Sequence, residues 1–425
     1  MLAHQIKRTF ITRQFSTFAM SQKIVIVGSG FSGLYSALSA RRLIEQNKDR
    51  VGNGIEVVMV APEPKLVTRP RLYEANAAGM AAPLNELLNA TGVQFVRGVV
   101  DVIRTKDKQV EVVSPMGERS NLSYDRLVLA AGSRLVKPNV PGLREHAFSI
   151  DTITDAADLE AHLQRLASLP SSQERNTVVV CGGGFTGIEL AAELPRRLRA
   201  ILGMAEKVKV VLVEKSDVIG PDLGGNPRPV ITQALSDLEV ETKLGNAVAS
   251  IDAKGVVTSS GERIDALTVV WTAGLEATPL TQQIPGEKDR QGRLIVDADL
   301  RVPSSPDVFA TGDAACAQTD DKGNHTMMSC QHAIPLGRSA GHNVAADLLK
   351  IPGSPYLQPA YGTCLDLGGW GAIVCDGWER KVFKSGGPAK EIKGWINGSV
   401  IYPPKAIAQE AFDAANPMIN QLAVL

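Results

Sequence analysis

The chain has no C-x-x-C pair. Its five cysteines (Cys181, Cys316, Cys330, Cys364, Cys375) are scattered and odd in number. That excludes a disulfide scaffold, a zinc ribbon and a dithiol redox pair, and no metal ligand set is assigned. No run of apolar residues reaches the length of a membrane-spanning helix. Neither sign of charge is in excess, with 45 Lys and Arg against 45 Asp and Glu, so nothing argues for nucleic acid as a partner. Aromatic residues make up only 5%, which suits an α/β protein rich in Ala, Val and Leu better than a β-sandwich. Acid is missing from the start of the chain, where the first acidic residue is Glu45. Residues 1–22 carry Lys7, Arg8 and Arg13, with Leu2, Ile6 and Phe10 at helical spacing. This is the pattern of a mitochondrial transit segment; the alternatives are a disordered tail or a true start at Met20, with a cytoplasmic protein.

What is present is a repeated grammar. Ile24-Val25-Ile26-Val27 reads as a strand buried on both faces. It runs into Gly28-Ser29-Gly30-Phe31-Ser32-Gly33, then a helical pattern, then a second strand at Ile55 to Val60. The second half repeats this with Thr177-Val178-Val179-Val180, Gly182-Gly183-Gly184-Phe185-Thr186-Gly187, a helix through Leu190 and Leu194, and Val208 to Val213. Two glycine turns, each between a buried strand and a helix, predict two dinucleotide sites. In each, the first glycine (Gly28, Gly182) permits the tight bend. The second (Gly30, Gly184) admits a pyrophosphate, and the third (Gly33, Gly187) lets helix and strand approach. Glu214 closes the second strand of the second unit, where a carboxylate binds ribose hydroxyls and repels a 2′-phosphate. That favours NADH over NADPH. The first unit has Val60-Ala61-Pro62 at this point, and Glu63, slightly late, is its candidate.

Three further strands end in small residues: Leu127 to Ala131-Gly132, Val269 to Gly274, and Val308 to Gly312-Asp313. Each lets backbone approach a ligand at the carboxyl end of a strand. Asp313 is placed to accept hydrogen bonds from a polyol, or else to cap a helix. The expected fold is α/β. An FAD-binding unit (23–143 and 279–350) is interrupted by an NAD(P)H-binding unit (144–278) and followed by a C-terminal region (351–425).

On Gly28–Gly33, Leu127–Gly132, Gly182–Glu189, Trp271–Gly274 and Thr311–Asp313, the chain resembles the two-dinucleotide flavoprotein reductases of the pyridine nucleotide-disulfide oxidoreductase superfamily. It looks most like type II NADH:quinone dehydrogenases. The resemblance implies FAD at the first turn and NAD(P)H at the second. Asp313 would hold the flavin's ribityl chain, Arg69 would lie near the isoalloxazine, and Glu189 near the nicotinamide. Glu189 would orient the carboxamide or relay a proton; the alternative is a first-turn acid favoured by the helix dipole. Gln331 would meet the flavin's pyrimidine edge; the alternative is a polar residue at a helix cap.

The segment Ser329-Cys330-Gln331-His332-Ala333-Ile334-Pro335-Leu336-Gly337-Arg338 is similar to the type II Ala-Gln-x-Ala-x-Gln motif. Cys330 replaces Ala, and Pro335 replaces the Gln associated with quinone. Pro335 is expected in the first turn of a helix, and His332 at the surface. The tail from Pro404 carries Lys405 as its one basic residue. Core packing or a homodimer contact therefore stands beside peripheral membrane contact for it. The leading expectation is an FAD-dependent NADH oxidoreductase that passes electrons to a quinone; the alternatives are a soluble FAD/NAD(P)H reductase serving a carrier protein or a metabolite, and a flavoprotein resembling apoptosis-inducing factors.

Overall fold

The computed structural model describes residues 21–51 and 54–419. The segment expected to be a transit peptide lies outside them, except for its last two residues. Gln22 already belongs to the first strand, Gln22–Val27, paired with Ile55.

That strand sits inside a six-stranded sheet. On one side lies Ile55–Ala61, followed by Gln94–Arg97. On the other lies Arg126–Leu129, followed by Ser305–Ala310. All of these pair in parallel. Arg301–Val302 closes the edge antiparallel. Ile24, Val25 and Ile26 are fully buried because both faces of the sheet are covered. A second, four-stranded parallel sheet runs Val240–Lys243, Lys209–Val213, Thr177–Cys181, Thr268–Trp271. In both sheets the strand that feeds the glycine turn is central, and the chain leaves to one side of it before returning on the other. This reversal opens a crevice beyond the strands' carboxyl ends, the place where open α/β sheets bind ligands.

Each sheet carries a three-stranded antiparallel appendage, 99–123 in the first unit and 248–265 in the second. The units are joined by an antiparallel pair, Ser133–Leu135 with Leu275–Ala277. The long helix Cys330–Leu349 crosses the first helix, Phe31–Gln46, at very short range. A Cβ on Gly341 would lie 2.1 Å from the Ser36 carbonyl oxygen. Ser36 Oγ donates to the Gly337 carbonyl across that crossing (3.1 Å).

The C-terminal residues serve both units. Strands Gly362–Asp366 and Ala372–Asp376 send Leu365 and Ile373 into the core of the second unit. The helix Ala408–Ala414 sends Ala411 into the core of the first, where Ala415 joins it. Among the described residues no helix is long and apolar enough to cross a membrane.

Candidate active site

The two glycine turns are built alike. Gly28 and Gly182 have φ of 113° and 114°, a region that disfavours side chains. A Cβ on Gly33 would meet the Gly28 carbonyl oxygen at 2.1 Å, and one on Gly187 the Gly182 oxygen at 1.8 Å. Gly30 and Gly184 differ from these, because a Cβ there would meet nothing within 4 Å. They are also the N-caps of helices Phe31–Gln46 and Phe185–Leu202, and neither cap is satisfied by a side chain. Uncapped N–H groups and the helix dipole thus face open space at both turns, which suits a pyrophosphate.

Glu214 is buried beside the second turn. Its Oε2 accepts from Gly183 N (2.6 Å) and its Oε1 from Ser216 N (2.8 Å). Each oxygen keeps a lone pair for a ribose hydroxyl. Glu63 is in a different setting. Its carboxylate is half-exposed and turned to Lys65 Nζ (2.8 Å) and Arg97 (3.6 Å), and only its backbone touches the first turn, through Ser29 Oγ.

Asp313 lies in a one-turn helix, Gly312–Ala314, at the end of Ser305–Ala310, and caps nothing. Ser133 Oγ donates to its Oδ2 (2.7 Å), and Arg69 Nη1 lies 3.9 Å from the same oxygen. Loss of hydration pushes this carboxyl up from its ordinary value, against the pull of Ser133 and Arg69. Arg69 also donates to Ser133 Oγ (2.8 Å) and pairs with Asp151, which accepts in turn from Leu135 N (3.0 Å). The cluster therefore ties the first unit to the strand that crosses into the second. Gly132 and Ala131 lead into that strand. Gly274 leads into its partner, where its carbonyl accepts from Val136 N (3.0 Å).

Glu189 is the fifth residue of its helix and only 4% exposed. Its partner comes from helix Gly387–Trp395, since Lys393 Nζ donates to Glu189 Oε1 (2.8 Å) and Asp366 N donates to the same oxygen (2.9 Å). Tyr73 OH donates to Asp366 Oδ2 (2.9 Å), which joins the 69–74 segment to this network. Burial pushes the Glu189 carboxyl up to about 7, opposed by the Lys393 ammonium. Lys393, Asp366, Ser133 and Asp151 were not anticipated from sequence. No local spacing marks them, because each meets its partner only through the fold.

Gln331 lies in the first turn of Cys330–Leu349. That turn is capped by Ser329 Oγ, which accepts from His332 N (3.4 Å). Among the described residues the Gln331 side chain has no protein hydrogen-bond partner, whereas its carbonyl accepts from Gln358 Nε2 (3.3 Å). Two expectations are corrected here. His332 is not a surface residue: it is fully buried, stacked 5.2 Å from Tyr361 and 5.8 Å from Trp378. Burial, then the Arg293 charge, lowers its pKa to about 4, so it is neutral. Pro335 is not in the first turn, because the helix begins at Cys330 and places it sixth. Cys330 is held as a thiol, its pKa raised by burial. Among the described residues no cluster of acids, histidines and cysteines suits a metal.

Both turns fit dinucleotides on their own geometry, through open glycines and uncapped helix N-termini, and the second adds a buried acid, Glu214, with free lone pairs. Fold and site together define an oxidoreductase with two dinucleotide sites. Residues 22–337 match the family described as pyridine nucleotide-disulphide oxidoreductase, and the chain belongs to that family. It is 45% identical over 384 residues to an NADH dehydrogenase-like protein of Mycobacterium tuberculosis, covering 90% of this chain and 94% of that one. It is 30% identical over 366 residues to a demethylphylloquinone reductase of Synechocystis, with 83% and 86% covered. The fold is shared with NDH2 from Plasmodium falciparum, solved in complex with NADH, at a TM-score of 0.73 and 16% identity over 93% of this chain and 97% of that one.

Proposed function

We propose that this oxidoreductase takes a hydride from NADH onto FAD and passes the electrons to a quinone. The observation that carries the reading is the pair of open, uncapped glycine turns at the reversal points of two parallel sheets, with a buried ribose-side acid, Glu214, only at the second. FAD belongs to the first turn and NADH to the second. A 2′-phosphate would stand against the Glu214 carboxylate, so NADPH is the poorer donor.

Bound there, FAD supplies the two-electron acceptor. The chain's own groups position and exclude water. Arg69 and Ser133 hold Asp313 toward the polyol chain, and Gln331 offers its free amide to the pyrimidine edge. Glu189, poised at about 7, holds or releases one proton beside the nicotinamide at neutral pH. Lys393 fixes it there.

The name of the Synechocystis relative supports a quinone acceptor. A peripheral membrane contact would use the exposed Phe383, which lies between Lys381 and Lys384 in sequence, and the exposed Trp395. A second reading, a reductase for a carrier protein or a metabolite, draws on Pro335 standing where the quinone-associated Gln is expected. Rapid mixing tests both. NADH should bleach the flavin's visible absorbance faster than NADPH, and a water-soluble quinone should restore it. Fast bleaching without restoration by quinone would move the assignment to the second reading. Purified protein without bound flavin would refute both.

A further inference from the structure

A helix interior normally returns the N–H of residue 335 to the carbonyl of residue 331. Proline has no N–H, and its ring crowds that carbonyl. Pro335 is therefore a defect in the helix Cys330–Leu349, one turn beyond the residue that offers its side chain to the flavin. The defect is filled from outside the helix. Gln358, 7% exposed, donates its Nε2 to the Gln331 carbonyl (3.3 Å). The amide cannot turn around without loss, because its Oε1 accepts from the buried Tyr356 hydroxyl (2.7 Å). Its backbone is held as well, with Gln358 N on the Thr319 carbonyl (2.9 Å) and Tyr356 N on that of Ala298 (2.7 Å). The turn is thus pinned at its start by the Ser329 cap and further on by Gln358, while the Gln331 side chain stays free.

We propose that Gln358 is a positioning residue: it supplies the donor that Pro335 withholds from the Gln331 carbonyl, and so fixes the turn that presents Gln331 to the flavin. The proposal rests on the reading of the first site as the flavin site. It also makes Pro335 and Gln358 a matched pair, so that restoring the missing N–H should make Gln358 dispensable.

The test is a double-mutant cycle on the holoenzyme with Gln358→Leu, Pro335→Ala and both together, read by hydrogen exchange over residues 330–340 and by the flavin midpoint potential. In Q358L, exchange in the first two turns should quicken about tenfold as the turn opens locally. The reduced flavin should become about tenfold less favoured, roughly 30 mV for a two-electron couple. P335A/Q358L should return both readings to parental values. If Q358L alone does not fold, recovery of folded protein in the double variant supports the pairing equally. No effect of Q358L, or an effect unchanged by P335A, overturns the proposal. Exchange that quickens and is rescued while the potential never moves overturns the placement of Gln331 at the flavin and leaves the hydrogen bond standing.

Discussion

Replacing Lys393 with Met tests the buried Glu189–Lys393 pair. Glu189 and Lys393 are 4% and 5% exposed and 2.8 Å apart. Removing one member of such a pair costs about 3–5 kcal/mol when the other must stay charged. Glu189 has an escape, because it can take up a proton. The damage therefore depends on pH, and its sign can be worked out. The Glu189 carboxyl is raised from 4.5 to about 7 in the folded protein. Its stabilising contribution is full below about 4.5, is lost as pH rises to about 7, and then stays level. Without the ammonium the folded pKa rises further, so in K393M the loss continues above 7. Each pH unit beyond 7 adds about 1.4 kcal/mol to the cost, up to the variant's new pKa.

Urea unfolding at pH 6, 7 and 8.5, on parent and K393M, reads this directly. The variant's deficit should be smallest at pH 6 and about 2 kcal/mol larger at pH 8.5 than at pH 7. Glu189→Gln in the K393M background removes the titrating group and should flatten the profile. A deficit independent of pH, or a slope that survives E189Q, would refute the reasoning.

Three further outcomes follow from the same geometry. Gly187→Ala forces a Cβ to within 1.8 Å of the Gly182 carbonyl oxygen. It should cost about 1–3 kcal/mol through backbone displacement, and calorimetry together with NADH titration should show lower stability and weaker binding. On the proposed reading Glu214→Gln removes the charge that would oppose a 2′-phosphate, so the ratio of kcat/KM for NADH over NADPH should fall about tenfold. His332 has its pKa lowered to about 4 in the fold, so its contribution is full above 6.5 and is lost as pH falls toward 4. H332Q should make acid unfolding shallower across that window, and an unchanged slope would show that the imidazole is not buried neutral.

The geometry of the glycine turns was legible because it is local. A bend, an open position and a close approach fall within six residues of each turn. Glu214 could be found by walking to the end of the next strand. The place of Asp313 at the end of its strand was legible for the same reason, whereas the hold of Ser133 and Arg69 on its carboxylate was not. Legibility fails where partners are far apart in the chain. Lys393 lies 204 positions from Glu189 and is brought there by a C-terminal helix with no motif of its own. His332 looked like a surface residue because the rings that bury it come from far along the chain, Tyr361 from just before the strand Gly362–Asp366 and Trp378 from the turn after Ala372–Asp376. Pro335 was misplaced through one local error. Ser329 is the cap, so counting from it puts the proline in the second turn, where a backbone donor is lost rather than dispensable. That recount changes what the proline means. On the proposed reading, a helix opened at the carbonyl of Gln331 and closed again by Gln358 holds its flavin-facing residue in place without the glutamine that type II dehydrogenases associate with quinone. On that reading the first turn, which serves the cofactor, and position 335, which concerns the acceptor, are structurally separable on one helix, and the acceptor is the part of the proposed function that the motifs describe least.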